Sequence, residues 1–345
     1  MVSYGDISPA VAAWAVVRML KRALPLLVFE KFGQTFPMPT NSTQTAKFRR
    51  YFLSGATGSA GNGAGNFYTP LATTPLVEGV TPDGRSLANQ DYTVQLAQYG
   101  DFITITDVVN DTHPDDILGV ATDVLGENAA ETVETLRFNV LKAGTNVFYG
   151  TMVASRANVA NKITLSDQRR VTTALNRQNA KKITSVVSST PDFNTKSVEA
   201  GYVAVTHPDL ETDIRDMVGF KPVADYGPHT TPWEGEIGSV EQVRYIATTV
   251  AKPFEGAGVA VGTAPTMRSN LGVNVDVYPV IYFARDAFGI VPLKGKDSMT
   301  PMVVNPKPAP GDPLGQRGTV GWKLWTATVI LQEAFMVRLE VAATA

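Results

Sequence analysis

The sequence predicts an α+β chain organised around one long helix. Three observations carry that class. From Thr112 to Gly144 an apolar residue recurs every three or four positions (Leu118, Ala121, Leu125, Ala129, Val133, Leu136 and Val140), which is the period of an amphipathic helix. Strand-type alternation lies on both sides of it: Tyr92, Val94 and Leu96, then Ile103 and Ile105, and near the end Phe335, Val337, Leu339 and Val341. Between Arg49 and Tyr99 the chain runs out and back through a glycine-rich tract, a far longer excursion than compact domains usually make.

Composition narrows the class. A chain of 345 residues with 44% apolar content builds real cores, and 18% charged residues with a net charge of -2 excludes a strongly basic nucleic-acid-binding domain. The low charge fits a surface that other copies partly cover. With no cysteine, disulfides, thiolate catalysis and cysteine metal sites are excluded.

In chain order, the apolar run Ile7–Val17 is followed by Arg18, Lys21 and Arg22, so it is too short to span a bilayer and carries its charges on the wrong side for a secretory signal. Val11, Trp14 and Ala15 recur at helical spacing, as do Arg18, Lys21 and Arg22, which predicts a short amphipathic arm ended by Pro25. Phe29 to Phe52 reads as an extended connector in which Lys47, Arg49 and Arg50 form a basic cluster, either a solvated turn or a contact for an acidic partner. The tract SGATGSAGNGAGN at 54–66 lacks the GKS or GKT of a phosphate loop and no helix follows it, so it predicts a loop tip.

Pro82 to Gly84 marks a turn, and the strands at Tyr92–Leu96 and Ile103–Ile105 make the excursion a two-stranded projecting loop, with Gly100 at a bulge or turn. In the long helix, Thr112 is the expected cap, Gly144 the left-handed stop, and Asp123, Glu127, Glu131 and Glu134 lie on or near the polar face. Its length, about 45 Å, suits a spine better than an ordinary layer. Further on, Ser166–Asn179 predicts a helix capped by Ser166, Gly201–Val205 a strand, His207–Val218 a helix, Val243–Val250 and Val273–Val277 strands, Asn305–Pro313 a loop, and Thr319–Val341 a strand.

Few residues of the sequence suggest chemistry. His113, His207 and His229 are scattered, and the carboxylates beside His113 suit a helix start better than a metal. Glu234 and Glu236, two apart, are the one candidate acid/base pair. No GxSxG, HExxH or strand-to-helix GxGxxG occurs, so the sequence offers no catalytic, cofactor-binding or metal-ligating residue.

Several stretches in one order carry a family resemblance: QYGDFITITDVV and LGENAAETVETLRFNVLKAGTNVFYG, then YVAVTHPDLETDIRD from Tyr202, EIGSVEQVRYIATT from Glu236, DVYPVIYFARDAFGIVPLKG from Asp276, and DPLGQRGTVGWKLWTATVILQEAFMVRLEVAAT from Asp312. With TTPLVEGVTPDG in the projecting loop, these resemble the phage-N4-type family of tailed-bacteriophage major capsid proteins. The resemblance runs from about Leu71 to the C-terminus and leaves out the glycine tract.

It implies a Hong Kong 97-like fold and a non-enzymatic subunit that assembles as hexamers and pentamers into an icosahedral head around double-stranded DNA. Scaffolding, portal and decoration proteins are further implied partners, with no membrane and no cofactor, and the location is the virion capsid after assembly in the host cytoplasm. The implied parts are an N-terminal arm (1–48), an extended loop (49–99), a peripheral domain (100–165) with its spine helix at 112–144, an axial domain (166–311) and a C-terminal strand returning to the peripheral domain (312–345). Arg49, Arg50, Glu78, Arg85, Asp123, Glu127 and Glu131 are the expected inter-subunit residues, and Arg18, Lys21 and Arg22 the expected DNA-facing ones. A β-rich tail or adhesin protein, and a carboxylate enzyme, are the alternatives. No lysine or asparagine matches the crosslinking chemistry of the wider fold.

Overall fold

The computed structural model describes residues 27–39, 41, 43–53, 75–81, 87–112, 117–183, 200–225, 233–293, 300–304, 308 and 312–345. The elements in order are a 3-10 turn at Phe29–Lys31, β1 (Gln34–Thr35), β2 (Thr45–Leu53), β3 (Leu87–Gln95), β4 (Ala97–Thr106), α1 (Asp107–Thr112) and α2 (Ile117–Lys142). There follow β5 (Val147–Tyr149), α3 (Leu165–Arg177), β6 (Tyr202–Thr206), α4 (Glu211–Arg215), β7 (Phe220–Pro222), β8 (Glu236–Val240) and β9 (Val243–Ala247). The chain closes with β10 (Tyr278–Phe283), β11 (Phe288–Pro292), β12 (Thr300–Val304), β13 (Arg317–Ile330) and β14 (Met336–Val341).

These strands make three sheets. β13 is the backbone of a five-stranded sheet and pairs with β4, β11 and β12, while β1 adds to β11. Its pairing with β4 is continuous from Ala97↔Thr326 to Thr106↔Arg317, so Gly100 is neither bulge nor turn. Glycine stands there because a Cβ would lie 2.6 Å from the Trp322 carbonyl oxygen. A mixed seven-stranded sheet runs β5-β14-β10-β6-β9-β8-β7, and β2 and β3 form a two-stranded ribbon.

The spine helix, α2, is 26 residues long, about 39 Å. It starts at Ile117, and Thr112 is the last residue of α1 rather than its cap. Gly144 follows its end without a left-handed φ. A side chain there would meet Met336, whose Cε would lie 2.6 Å from the Cβ.

The buried arc of α2 turns along its length. Ala121, Leu125, Ala129 and Val133 pack on Ile105, Val320, Trp322 and Leu324 of the five-stranded sheet. Phe138 and Leu141 instead pack on Val203, Val205, Ile281 and Phe283 of the seven-stranded sheet. At 100° per residue Leu125 and Leu141 point roughly 160° apart, so one helix ties two sheets together. That rotation corrects the single polar face: Glu134 is fully buried, and Leu136 and Val140 are only half-buried.

The seven-stranded sheet is covered on both faces. Val171 and Leu175 of α3, with Leu210 and Ile214, cover Tyr202, Ala204, Tyr245 and Tyr282. The opposite face receives the end of α2 together with Phe29 and Phe32. All six residues of β14 are therefore buried, although they alternate in polarity. The predicted single strand Thr319–Val341 is two, β13 and β14, which lie in different sheets and are separated by a 3-10 turn at Glu333–Phe335.

Two local expectations also shift. The cap of α3 is Thr164, whose Oγ1 accepts from the Asp167 N–H at 3.2 Å, not Ser166. Val273–Val277 forms only isolated bridges, Ala260↔Asn274 and Phe254↔Val277, and regular pairing begins at Tyr278.

Candidate assembly surface

The ribbon is the first candidate. Nine pairs run from Thr45↔Gln95 to Leu53↔Leu87, a length of about 30 Å. A lone pair of strands is marginal in water, and among the described residues this one packs on the body near its root. There Leu96 N–H donates to the Gln44 carbonyl at 2.9 Å, while Ala46 and Leu96 are buried with Met38, Val291 and Ala327. Phe48, on the same ribbon face, lies over Gly289 so closely that an added Cβ would stand 2.8 Å from its Cζ.

The basic cluster lies within β2, not in a turn. Arg49 makes a bidentate pair with Asp91 across the ribbon, at 2.8 and 3.0 Å, and Lys47 reaches the same carboxylate at 3.3 Å. The Arg49 guanidinium holds the Asp91 carboxyl down at about 2, and Asp91 in turn raises Arg49. Arg50 lines a cleft of about 290 Å³ between ribbon and body with Gln34, Tyr92, Asp286 and Phe335. Asp91 escaped the sequence reading because its role depends on strand register, which no local pattern shows.

The outer face of α2 is the second candidate. Glu131 is exposed and Asp123 and Glu127 are half-exposed, at four-residue steps along one side. Val120 and Val124 stand exposed beside them, so the stripe is apolar as well as acidic. A third surface is a cleft of about 520 Å³ on the five-stranded sheet, where Phe102, Met302 and Val304 are exposed around Thr319, Gly321 and Trp322. None of these apolar residues stood out in the sequence, since strand alternation marks which residues share a face and not which face is wet.

Glu78 lies exposed in a turn with Gly79. Arg18, Lys21, Arg22 and Arg85, with His113, His229 and the glycine tract, lie outside the described residues. Glu234 and Glu236 do not make a pair. Gly235 between them takes a left-handed φ of 79°, Glu236 is buried against Arg244 at 3.0 Å, and exposed Glu234 meets Lys31 at 3.4 Å. His207 caps the turn that follows, its Nδ1 accepting from the Asp209 N–H at 3.2 Å. Among the described residues no group of three acidic or histidine side chains is placed to hold a metal, and no helix is long and apolar enough to cross a membrane.

What the fold presents is a two-stranded ribbon, an acidic and apolar helix face, and an apolar cleft on a sheet. Residues 90–339 match the family model described as phage capsid protein, well over half of the chain, and the chain belongs to that family. It is a structural major capsid protein of the head shell, located in the virion capsid.

Solved structures agree on the fold, which is Hong Kong 97-like. The capsid of Ralstonia phage GP4 is similar at a TM-score of 0.63 and 14% identity, over 91% of this chain and 87% of that one. The cyanophage Pam1 capsid gives 0.56 and 15%, over 94% and 92%, and the capsid of cyanophage P-SCSP1u 0.55 and 14%, over 92% and 89%. None of the curated protein sequences matches the chain.

Proposed function

We propose that this chain is a phage-N4-type major capsid protein whose copies, as hexamers and pentamers, close an icosahedral shell around double-stranded DNA without catalysing a reaction. The ribbon carries this proposal. A 30 Å two-stranded element whose described contacts with its own body cluster near its root, at Ala46, Phe48, Val94 and Leu96, requires a further surface, and a neighbouring copy supplies one. Arg50, Glu78 and Arg85 belong to that contact, and the Asp123–Glu131 stripe with Val120 and Val124 is the surface that receives a neighbour. Arg49, already held by Asp91, shapes the ribbon that makes the contact.

In this scheme the α2 region and the five-stranded sheet form the peripheral part, the seven-stranded sheet the axial part, and Arg18, Lys21 and Arg22 face DNA. Many modest contacts suffice, because closure makes each additional one intramolecular. Scaffolding, portal and decoration proteins are the partners such a shell takes, and the host cytoplasm is where it forms.

Electron microscopy of the expressed protein, with and without residues 54–86, is the test. Closed shells from the full chain, and folded subunits without shells from the deletion, are expected. Trimers or fibres from the full chain, or normal shells from the deletion, would refute the proposal.

A further inference from the structure

Beyond the C-terminal end of α2, the face of β14 that the helix covers changes character. Met336 joins the apolar cluster under the helix, and Ala342, just past the strand, joins a second apolar cluster with Val275 and Val277. Between them the same face carries Arg338 and Glu340, both buried. Three cations gather in this gap around one ring: Lys142 Nζ lies 3.8 Å from the centroid of Phe254, the Arg156 guanidinium 3.5 Å and that of Arg338 5.9 Å.

One carboxylate, that of Glu340, serves two of the three and is already taken. Glu340 binds Arg156 through both oxygens, at 2.7 and 2.8 Å, and Arg338 Nε lies 2.8 Å from Oε1. That approach misses the N–H direction, so the buried Arg338 Nε–H has no hydrogen-bond acceptor among the described residues. Arg338 also donates to the Lys142 carbonyl at the helix terminus. Lys142 has no carboxylate among the described ion pairs. Its ammonium finds only the Lys252 carbonyl, at 3.4 Å, and the faces of Phe254 and Phe138.

The cluster therefore holds three positive charges against one negative charge in a half-buried place, where repulsion is poorly screened. Burial, followed by the neighbouring Arg156 and Arg338, pushes the Lys142 ammonium below its ordinary value against the raising pull of Glu340. A purely structural role is poorly served by a third cation that pairs with nothing acidic. Arg156 and Lys142 keep part of their surface in solvent, so the gap is reachable.

We propose that Lys142, Arg156 and Arg338, gathered around Phe254 past the end of the spine helix, bind a phosphate-type oxyanion, either free phosphate or a phosphate of a nucleic-acid backbone. Arginine supplies fork-shaped donors and lysine a point charge, the usual pairing for phosphate.

The test uses the full-length protein, wild type and Lys142→Met, which keeps the aliphatic stem and leaves the Glu340 pairs intact. Lys142→Arg is the rescue variant. Binding of inorganic phosphate followed by calorimetry should weaken by about tenfold or more in Lys142→Met, the size of one lost charge-assisted contact, and return in Lys142→Arg. A short DNA duplex then separates the sources. A salt slope about one contact shallower in Lys142→Met assigns the site to nucleic acid, and phosphate binding with an unchanged duplex slope assigns it to the free ion. Equal phosphate binding by wild type and Lys142→Met, or no phosphate binding by the wild type, would overturn the proposal. The phosphate measurement needs no shell, so its failure leaves the assembly proposal standing.

Discussion

The backbone N–H of Phe29 donates to the carboxylate of Glu134 at 3.1 Å, joining the first described segment to the middle of the spine helix. The same carboxylate meets buried Arg137 at 3.0 Å, and Arg137 reaches Glu30 at 3.3 Å. Burial raises the Glu134 carboxyl, against the lowering pull of Arg137 and the Phe29 N–H. Glu134→Ala removes the acceptor and leaves Arg137 with only the exposed Glu30. A loss of about 3–5 kcal/mol in chemical denaturation is expected, and Glu134→Gln, which keeps an acceptor, should lose less.

Phe48 and Gly289 set how the ribbon leaves the body. Gly289→Ala places a methyl group 2.8 Å from the Phe48 ring, an overpacking that costs about 1–3 kcal/mol if the ribbon holds its seat. If the ribbon tilts instead, stability changes little and shell yield falls. Adding Phe48→Leu to Gly289→Ala should recover shells in electron micrographs, and no recovery would count against the seat.

Asp91 gives the ribbon a pH dependence of known sign. Its carboxyl is depressed to about 2 in the folded chain, below the ordinary 3.8, so the stabilisation from Arg49 is fully present above about pH 4 and is lost as pH falls toward 2. Protection factors of the β2 and β3 amides, exchange rates taken relative to the free-amide rate at the same pH, should fall over that window in wild type, and Asp91→Asn should remove the dependence.

Leu125 and Val124 are neighbours on α2 with opposite fates. Leu125 is 2% exposed, so Leu125→Ala should cost about 2–5 kcal/mol in thermal or chemical unfolding. Val124 is 49% exposed, and Val124→Asp should leave subunit stability within about 0.5 kcal/mol while reducing assembly, as seen by light scattering.

Much of the fold was legible where one residue type repeats with one period. The spine helix, the strand at Tyr202–Thr206 and the helix at Leu165–Arg177 are local patterns, and they stand within a few residues of their predicted places. The misreadings share a cause, which is contact with two partners at once. Glu134 has the polarity of a surface residue and is buried, because the segment at Phe29 covers that side of α2. Arg338 and Glu340 alternate with valine and leucine as on a half-wet strand, yet both faces of β14 are covered. Of the candidate surface, the acidic residues of α2 were visible by spacing, whereas Asp91, the seat at Gly289 and the exposed Val120, Val124, Phe102 and Met302 were not.

Sequence alone determined the class of chain, the existence of the spine and the exclusion of cysteine chemistry, because each follows from composition or from a local period. The tertiary structure decided that the spine turns its buried face from one sheet to the other, that the ribbon pairs β2 with β3 while the Ile103–Ile105 strand joins the five-stranded sheet, that the final stretch divides between two sheets, and that three cations gather around Phe254 where only two of them pair with the buried Glu340. Those features depend on pairings between residues a hundred or more positions apart, such as Lys142 with Arg338 and Phe29 with Glu134, and a local period carries no information about which distant segments meet.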